Sequence, residues 1–328
     1  MAFAPEMADV ASNEAAAEIQ GRSPARIAFE RIRGDKVAVI SAAVVLVFLL
    51  IAIFAPWIAD LFGVGYREES GTETLDAATG WGKVGPPVHG FSWEHPLGVA
   101  PKNGYDLLGE WLYGARTSIV VATLATAFST IVGVVIGLIA GFATGWVDKV
   151  LTFFIDTFLA FPFVLGALAL APIITNRWRA DEETLQVASF FTVVFVLTAF
   201  GWMVLARLVR GEVLSLRESE FVQAARVIGV PTRKILFREL LPNLTAPIII
   251  AVSLGLPSYV SAEAGLAYLG IGMNGVASWG QTINEAQGYF DIYPLYLWAP
   301  VIGVLLLVLS LNLLGDAVRD AFDPKTRR

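Results

Sequence analysis

The 328-residue chain contains no cysteine. Disulfides, thiolate nucleophiles and Cys-ligated metals are therefore excluded, and the redox compartment stays undetermined. Histidine is nearly as scarce. His89 and His95 are the two present, and they lack the i, i+4 pair or His-Glu-x-x-His run of a helical zinc site. The simpler reading is a pair of loop histidines with structural hydrogen bonds. A phosphate-cradling loop is missing as well. Gly82-Lys83 is followed by Val84, and Ala77 stands where the first glycine belongs. Gly270-Ile-Gly-Met-Asn-Gly275 matches G-x-G-x-x-G in letters only, because it follows an apolar helix rather than the strand of a βαβ unit. There is no G-x-S-x-G and no Ser/His/Asp set at membrane depth. Charge is thin, at 16% Asp, Glu, Lys and Arg, where a soluble domain carries about 25%.

What fills the chain is apolar, 56% of its residues. The shortfall of charge sits in long uncharged runs of bilayer length, so the class is an all-α polytopic membrane protein. Six transmembrane helices are expected over 37–57, 118–142, 150–174, 187–205, 244–260 and 296–314. Pro162 should kink the third, and Pro247 and Pro257 interrupt the fifth. Residues 1–36 form an N-terminal tail, acidic and Ala-rich over 1–20 and basic after that, without the pattern of a cleaved signal peptide. Residues 58–117 form a long external loop. Eight acids and three bases lie between Asp60 and Glu110. Residues 118–317 make a five-helix core with a loop at 206–243, and 318–328 a C-terminal tail. The loop at 206–243 holds seven bases and four acids. With Arg22, Arg26, Arg31 and Arg33 before the first span and Arg319, Lys325, Arg327 and Arg328 after the last, the positive-inside rule puts it and both termini in the cytoplasm. The net charge of −6 says little about nucleic acid, and no nucleic-acid partner is expected.

Within the second span Gly133, Gly137 and Gly141 form one stripe that lets another helix backbone approach closely in lipid. Packing within the subunit is the simpler reading, a subunit interface the other. Asp156 is an intramembrane acid, about 9 Å into the third span at 1.5 Å per residue. It is either a relay group, as in an ion-coupled secondary transporter, or a structural acid paired with Arg207 or Arg210.

The chain is organised around 220–242, a polar, amphipathic stretch between spans four and five. Phe221, Ala224, Ala225 and Ile228 fall at i, i+3, i+4 and i+7, one face of a short helix. Gly229 stops that helix and Pro231 forbids its continuation. Thr232 can cap a second short helix, which Pro242 ends. So much amphipathic helix in a loop points to a docked partner.

From Gln223 the stretch reads Gln-Ala-Ala, three residues, Gly229, nine residues, Glu239, Leu240, Leu241, Pro242. It resembles the signature E-A-A-x3-G-x9-I-x-L-P of permease subunits of bacterial ABC importers, with Gln for the first Glu and Glu239 at the Ile position. Further stretches resemble the C-type permease of dipeptide/oligopeptide/nickel importers: His95-Pro-Leu-Gly98, Tyr113-Gly-Ala-Arg-Thr-Ser118, Asp156-Thr-Phe-Leu-Ala-Phe-Pro162, Tyr268-Leu-Gly-Ile-Gly272 and Asn312-Leu-Leu-Gly-Asp316. The resemblance runs over 32–328. It implies a type I ABC importer permease fold and a non-catalytic subunit of the bacterial cytoplasmic membrane. It implies a B-type permease as heterodimer partner, two ATPase subunits that bind ATP and Mg, and an extracellular substrate-binding protein. Phe221, Gln223, Ala224, Ala225, Arg226, Ile228, Gly229 and Pro242 would form the ATPase-coupling segment. Peptides are the expected substrate by family breadth, with nickel chelates or other small solutes as alternatives. No cofactor of the chain's own and no metal are expected.

Overall fold

The computed structural model describes residues 24–65, 67, 72–178 and 181–323. The acidic stretch 1–20, Arg22, Lys325, Arg327 and Arg328 lie outside them. Among the described residues there is no strand, only two isolated bridges. A short helix, α1 (Pro24–Gly34), leads into α2 (Lys36–Phe62). Arg31 of α1 donates to the backbone carbonyls of Ala321 and Asp323 at 3.2 and 3.3 Å. The two ends of the described chain therefore meet at one end of the bundle, called here the base.

Helix α2 is capped by the Asp35 carboxylate, which accepts from the Val37 amide at 2.8 Å, and closed by Gly63 at φ 67°. It outruns the expected 57 because Pro56 is accommodated inside it. Helix α3 (Leu107–Phe142) begins well before the expected 118, so the long loop ends at Asp106. The reason is local. Asp106 caps the helix by accepting from the Gly109 amide at 2.9 Å, and Glu110 in the first turn is held in a buried two-pronged pair with Arg67 at 2.7 and 2.8 Å. Charges that read as loop are absorbed by a cap and an ion pair.

The third span is not a kinked helix but two, α4 (Trp146–Ala160) and α5 (Phe163–Thr175), bent by 93°. Pro162 drives Phe161 into extended backbone at φ −78°, ψ 130°, which ends α4 outright. The fourth is divided at Phe200–Gly201 into α6 (Glu182–Ala199) and α7 (Trp202–Leu216). Helix α7 continues through Arg207 and Arg210 to Leu216, so the loop expected from 206 starts about three turns later. Helix α8 (Glu220–Val227) follows. The second short helix is neither capped by Thr232 nor ended by Pro242. Pro231 stands at its N-cap, and Thr232–Lys234, a π-helical Ile235–Leu240 and Leu241–Asn243 wind on almost directly into α9 (Thr245–Tyr268). Neither Pro247 nor Pro257 breaks α9. Short α10 (Trp279–Ala286) and α11 (Pro294–Phe322) complete the fold. Helices α2, α3, α6 with α7, α9 and α11 are each long and apolar enough to cross a membrane, and the bent pair α4–α5, taken as one broken span, brings the number to six.

Helix α3 is the axis of the bundle, packed by α2, α7 and α9. The glycine stripe settles on α7. A Cβ on Gly133 or Gly137 would lie 2.7 Å from the Trp202 or Ala206 carbonyl oxygen, and one on Gly141 2.7 Å from Val213 Cβ. The stripe thus serves close packing inside the subunit. At the far end Phe48, Trp111 and Trp279 lock α2, α3 and α10 together. Trp279 Nε1 donates to the Trp111 carbonyl and Trp111 Nε1 to that of Ala299, each at 3.0 Å. Above them the long loop is pinned by His95 Nδ1 against Asp106 at 2.6 Å and by buried Tyr293, whose hydroxyl donates to the Leu97 carbonyl. Tyr293 fits only because Gly85 and Gly98 lack a Cβ. Burial, then the charge of Asp106, push its phenol above the usual tyrosine range and keep it a donor.

Candidate functional site

Helix α8 lies at the base, between the ends of α7 and α9. Its C-terminus is a Schellman motif. Val230 N–H donates to the Ala225 carbonyl at 3.0 Å and Gly229 N–H to that of Arg226 at 3.1 Å, with Gly229 at φ 75°. This is the stop expected at Gly229, and it fixes the angle at which the chain leaves. At the other end Gln223 Nε2 donates to the Arg217 carbonyl at 3.1 Å, and Arg217 in turn donates to the Gly141 carbonyl at 3.3 Å. Gln223 is therefore spent on holding α8 to the end of α3. Arg226 lies over the Phe142 ring, its guanidinium carbon 4.5 Å from the centroid.

The apolar residues of α8 divide between two faces. Val222 and Ala225 are buried in a cluster with Leu138 of α3, Val209 and Val213 of α7, and Ile235, Leu240 and Leu244. Burying Val222 alone is worth about 1.5–3 kcal/mol. Phe221, Ala224 and Ile228 face outward with Val227; Ile228 is 77% and Val227 86% exposed. The expected single face of Phe221, Ala224, Ala225 and Ile228 is thus corrected. Ala225 belongs to the chain's own core, and Val227 replaces it on the free face. The heptad-like spacing could not tell the two faces apart, because both carry apolar residues. Pro242 lies within the winding that leads to α9.

Asp156 is half-exposed on α4 and pairs with Arg207, one of its two expected partners. Arg210 pairs instead with Asp148, which accepts from Nε at 3.0 Å and Nη2 at 2.8 Å. The two pairs clamp α4 to α7 near the base.

Midway along the bundle a cavity of about 480 Å³ opens between α3, α5, the α6–α7 break and α9. Thr126, Ser129, Thr130, Ser258 and Tyr259 supply its hydroxyls, Phe163 and Phe200 its rings, and no charged residue lines it. Gly201 leaves the room that the Tyr259 hydroxyl fills. Sequence reasoning missed this surface, because Ser, Thr and Tyr inside spans carry no pattern of their own. It also missed Glu263, assigned to the loop after span five. Glu263 is 1% exposed inside α9, in the same buried pocket as Ser118 and Ser278. The unbroken apolar run on both sides of it was the available signal.

A bundle of six crossings with a short helix held at its base between crossings four and five, and an uncharged cavity between the helices, is the architecture of a membrane transport subunit. The family of binding-protein-dependent transport system inner membrane components matches residues 133–328, and the N-terminal TM domain of oligopeptide transport permease C matches 23–66. The chain belongs to this family of ABC importer permeases, as a multi-pass inner membrane protein of the dipeptide/oligopeptide C-type branch. It is 33% identical to the dipeptide transport system permease protein DppC of Alkalihalophilus pseudofirmus, over 93% of this chain and 91% of that one. It is 30% identical to the oligopeptide transport system permease protein OppC of Haemophilus influenzae (94% and 91%). The glutathione transport system permease protein GsiD of Escherichia coli is also 30% identical (94% and 93%). Among solved structures the MetNI methionine ABC transporter, in inward-facing conformations, aligns with TM-score 0.52 at 18% identity, over 65% of this chain and 96% of that one. That likeness concerns the fold.

Proposed function

We propose that the chain forms half of the passage of an ATP-driven peptide importer and receives its driving force at α8. The observation that carries this is the division of α8: Phe221, Ala224, Val227 and Ile228 are free at the base while Val222 and Ala225 are embedded in the ends of α3, α7 and α9. A load on the free face is transmitted directly into the helices that wall the cavity. The Schellman stop at Gly229 and the Gln223–Arg217–Gly141 chain of hydrogen bonds keep α8 from swivelling under that load. The base is then the cytoplasmic side with both termini on it, two ATPase subunits hold ATP and Mg, a B-type permease completes the passage, and an extracellular binding protein delivers the substrate.

The cavity supports a peptide substrate in kind. Its volume falls in the range of small-molecule sites, about 300–1,000 Å³, and its uncharged hydroxyl and aromatic wall holds no fixed ion to trap a zwitterion. The dipeptide, oligopeptide and glutathione permeases among its relatives point the same way. The test is uptake into proteoliposomes by the full assembly, with di- and tripeptides against nickel chelates. ATP-dependent peptide uptake that collapses in Ala224→Glu, with ATPase activity retained, supports the proposal. Uptake by this chain alone, driven by a proton gradient, would overturn it, and nickel-chelate uptake without peptide uptake would overturn the substrate.

A further inference from the structure

We propose that the tip of the long loop, residues 87–94, is a membrane anchor in which Trp93 sits at headgroup level in the leaflet remote from the base. The distances along α2 set the depth. Twenty residues separate Val37 from Trp57, about 30 Å of helix, which is the thickness of the hydrocarbon core. Phe54 and Trp57 mark its far boundary. Their rings are 5.1 Å apart, and they are 42% and 63% exposed on the outer face of the bundle. Leu61, one turn on, is 80% exposed, and the ring of Phe62 lies 5.9 Å from that of Trp93. Phe62 is five residues beyond Trp57, about 7 Å, inside the headgroup layer where tryptophan is enriched. The exposed apolar surface of α2 thus continues past Trp57 to Leu61, and half-buried Phe62 joins the end of the helix to Trp93 on the loop.

Trp93 is 82% exposed, and Val88 and Phe91 beside it are 53% and 52%. The tip is not a loose excursion that happens to be apolar. Gly85 N–H donates to the Gly90 carbonyl at 3.0 Å, His95 N–H to Ser92 Oγ at 3.1 Å, and Tyr293 clasps the loop's root. A rigid loop presenting these side chains to water would leave a Trp ring hydrated with no compensation. At the interface the ring is dehydrated while its indole N–H stays wet. The charges agree, since 87–94 holds one carboxylate, Glu94, and no Lys or Arg, and at the loop root Glu110 is paired with Arg67 and Asp106 with His95. The anchor would hold the loop at a fixed tilt to the membrane.

The absence of cysteine makes the test direct. Nitroxide labels at Trp93→Cys and, with Trp93 kept, at Glu94→Cys are read by power saturation in the assembled transporter in liposomes. Leu61→Cys is the bilayer reference and Ala78→Cys, on an exposed turn, the aqueous one. The ratio of oxygen to nickel-chelate accessibility at 93 is expected to match that at 61, and the ratio at 94 to exceed that at 78 by about twofold or more. A ratio at 94 equal to that at 78 would overturn the anchor. So would exclusion of both relaxants at 93, which would mean that another protein subunit covers the tip.

Discussion

Gly229, Ala224 and Ala225 concentrate the account at the residue scale. A side chain at φ 75° costs about 1–2 kcal/mol, and a β-branched one resists that backbone most. Gly229→Val is therefore expected to insert and assemble but to reset the exit angle of α8. ATPase stimulation and peptide uptake, measured side by side, should part company in this variant. The two alanines are expected to differ although they are neighbours. Ala224→Glu places its carboxylate on the free face and should leave the subunit folded while uncoupling it. Ala225→Glu forces a charge among Val209, Val213 and Leu240 and should abolish the folded subunit, read as loss of a monodisperse peak in detergent. A third expectation concerns Arg67 and Glu110, 8% and 4% exposed. Breaking a buried pair from one side costs about 3–5 kcal/mol, because the remaining charge is stranded. Arg67→Met alone and Glu110→Leu alone should each lower the melting temperature in detergent, and the double variant should recover much of the loss.

At the scale of elements, the seam between α3 and α7 is held by contact at the glycine stripe. Gly137→Ala puts a methyl 2.7 Å from the Ala206 carbonyl and from Val209 Cβ, whereas Gly211, in the same seam's helix, has nothing within 4 Å of such a methyl. Gly137→Ala should therefore destabilise the subunit, and Gly211→Ala should be neutral or add up to about 1 kcal/mol through helix propensity. Thermal unfolding of the two variants checks this. Elements were legible from sequence wherever run length alone decides. The six apolar stretches stand out because a bilayer demands a fixed length of uncharged helix. Their ends and breaks were less legible. Glu110 and Glu263 look like loop acids, yet one is neutralised by Arg67 forty-three positions away and the other is buried in α9. Pro162 signals a kink, but the 93° turn depends on how α5 packs beyond it, where Gly166 leaves room for the ring of Phe200. In α8, spacing found a helix and its stop but mixed two faces, since which of them meets the chain's own core is a tertiary fact.

For the whole molecule, the proposal rests on α8 lying against the ends of α3, α7 and α9, so that a load on its free face would reach the helices around the cavity. The clamps of Asp156 with Arg207 and Asp148 with Arg210 tie α4 to α7, so that motion of α7 carries α4 with it. Splitting either clamp should slow transport more than it lowers ATPase activity. The family signature at Gln223, Ala224, Ala225 and Gly229 was readable at once from the sequence, and the family matches agree with it. The uncharged cavity wall was not, because its hydroxyls come from two helices, α3 and α9, that lie more than a hundred positions apart in the chain. The most direct measurement on the central claim is crosslinking from α8 in the assembled transporter. A photoreactive label on Ile228→Cys, the chain's only thiol, should form an adduct with an ATPase subunit, and one on Val222→Cys, buried in the α8 cluster, should not. An adduct from Ile228 only to lipid or to the other permease, with none to an ATPase subunit, would contradict the account.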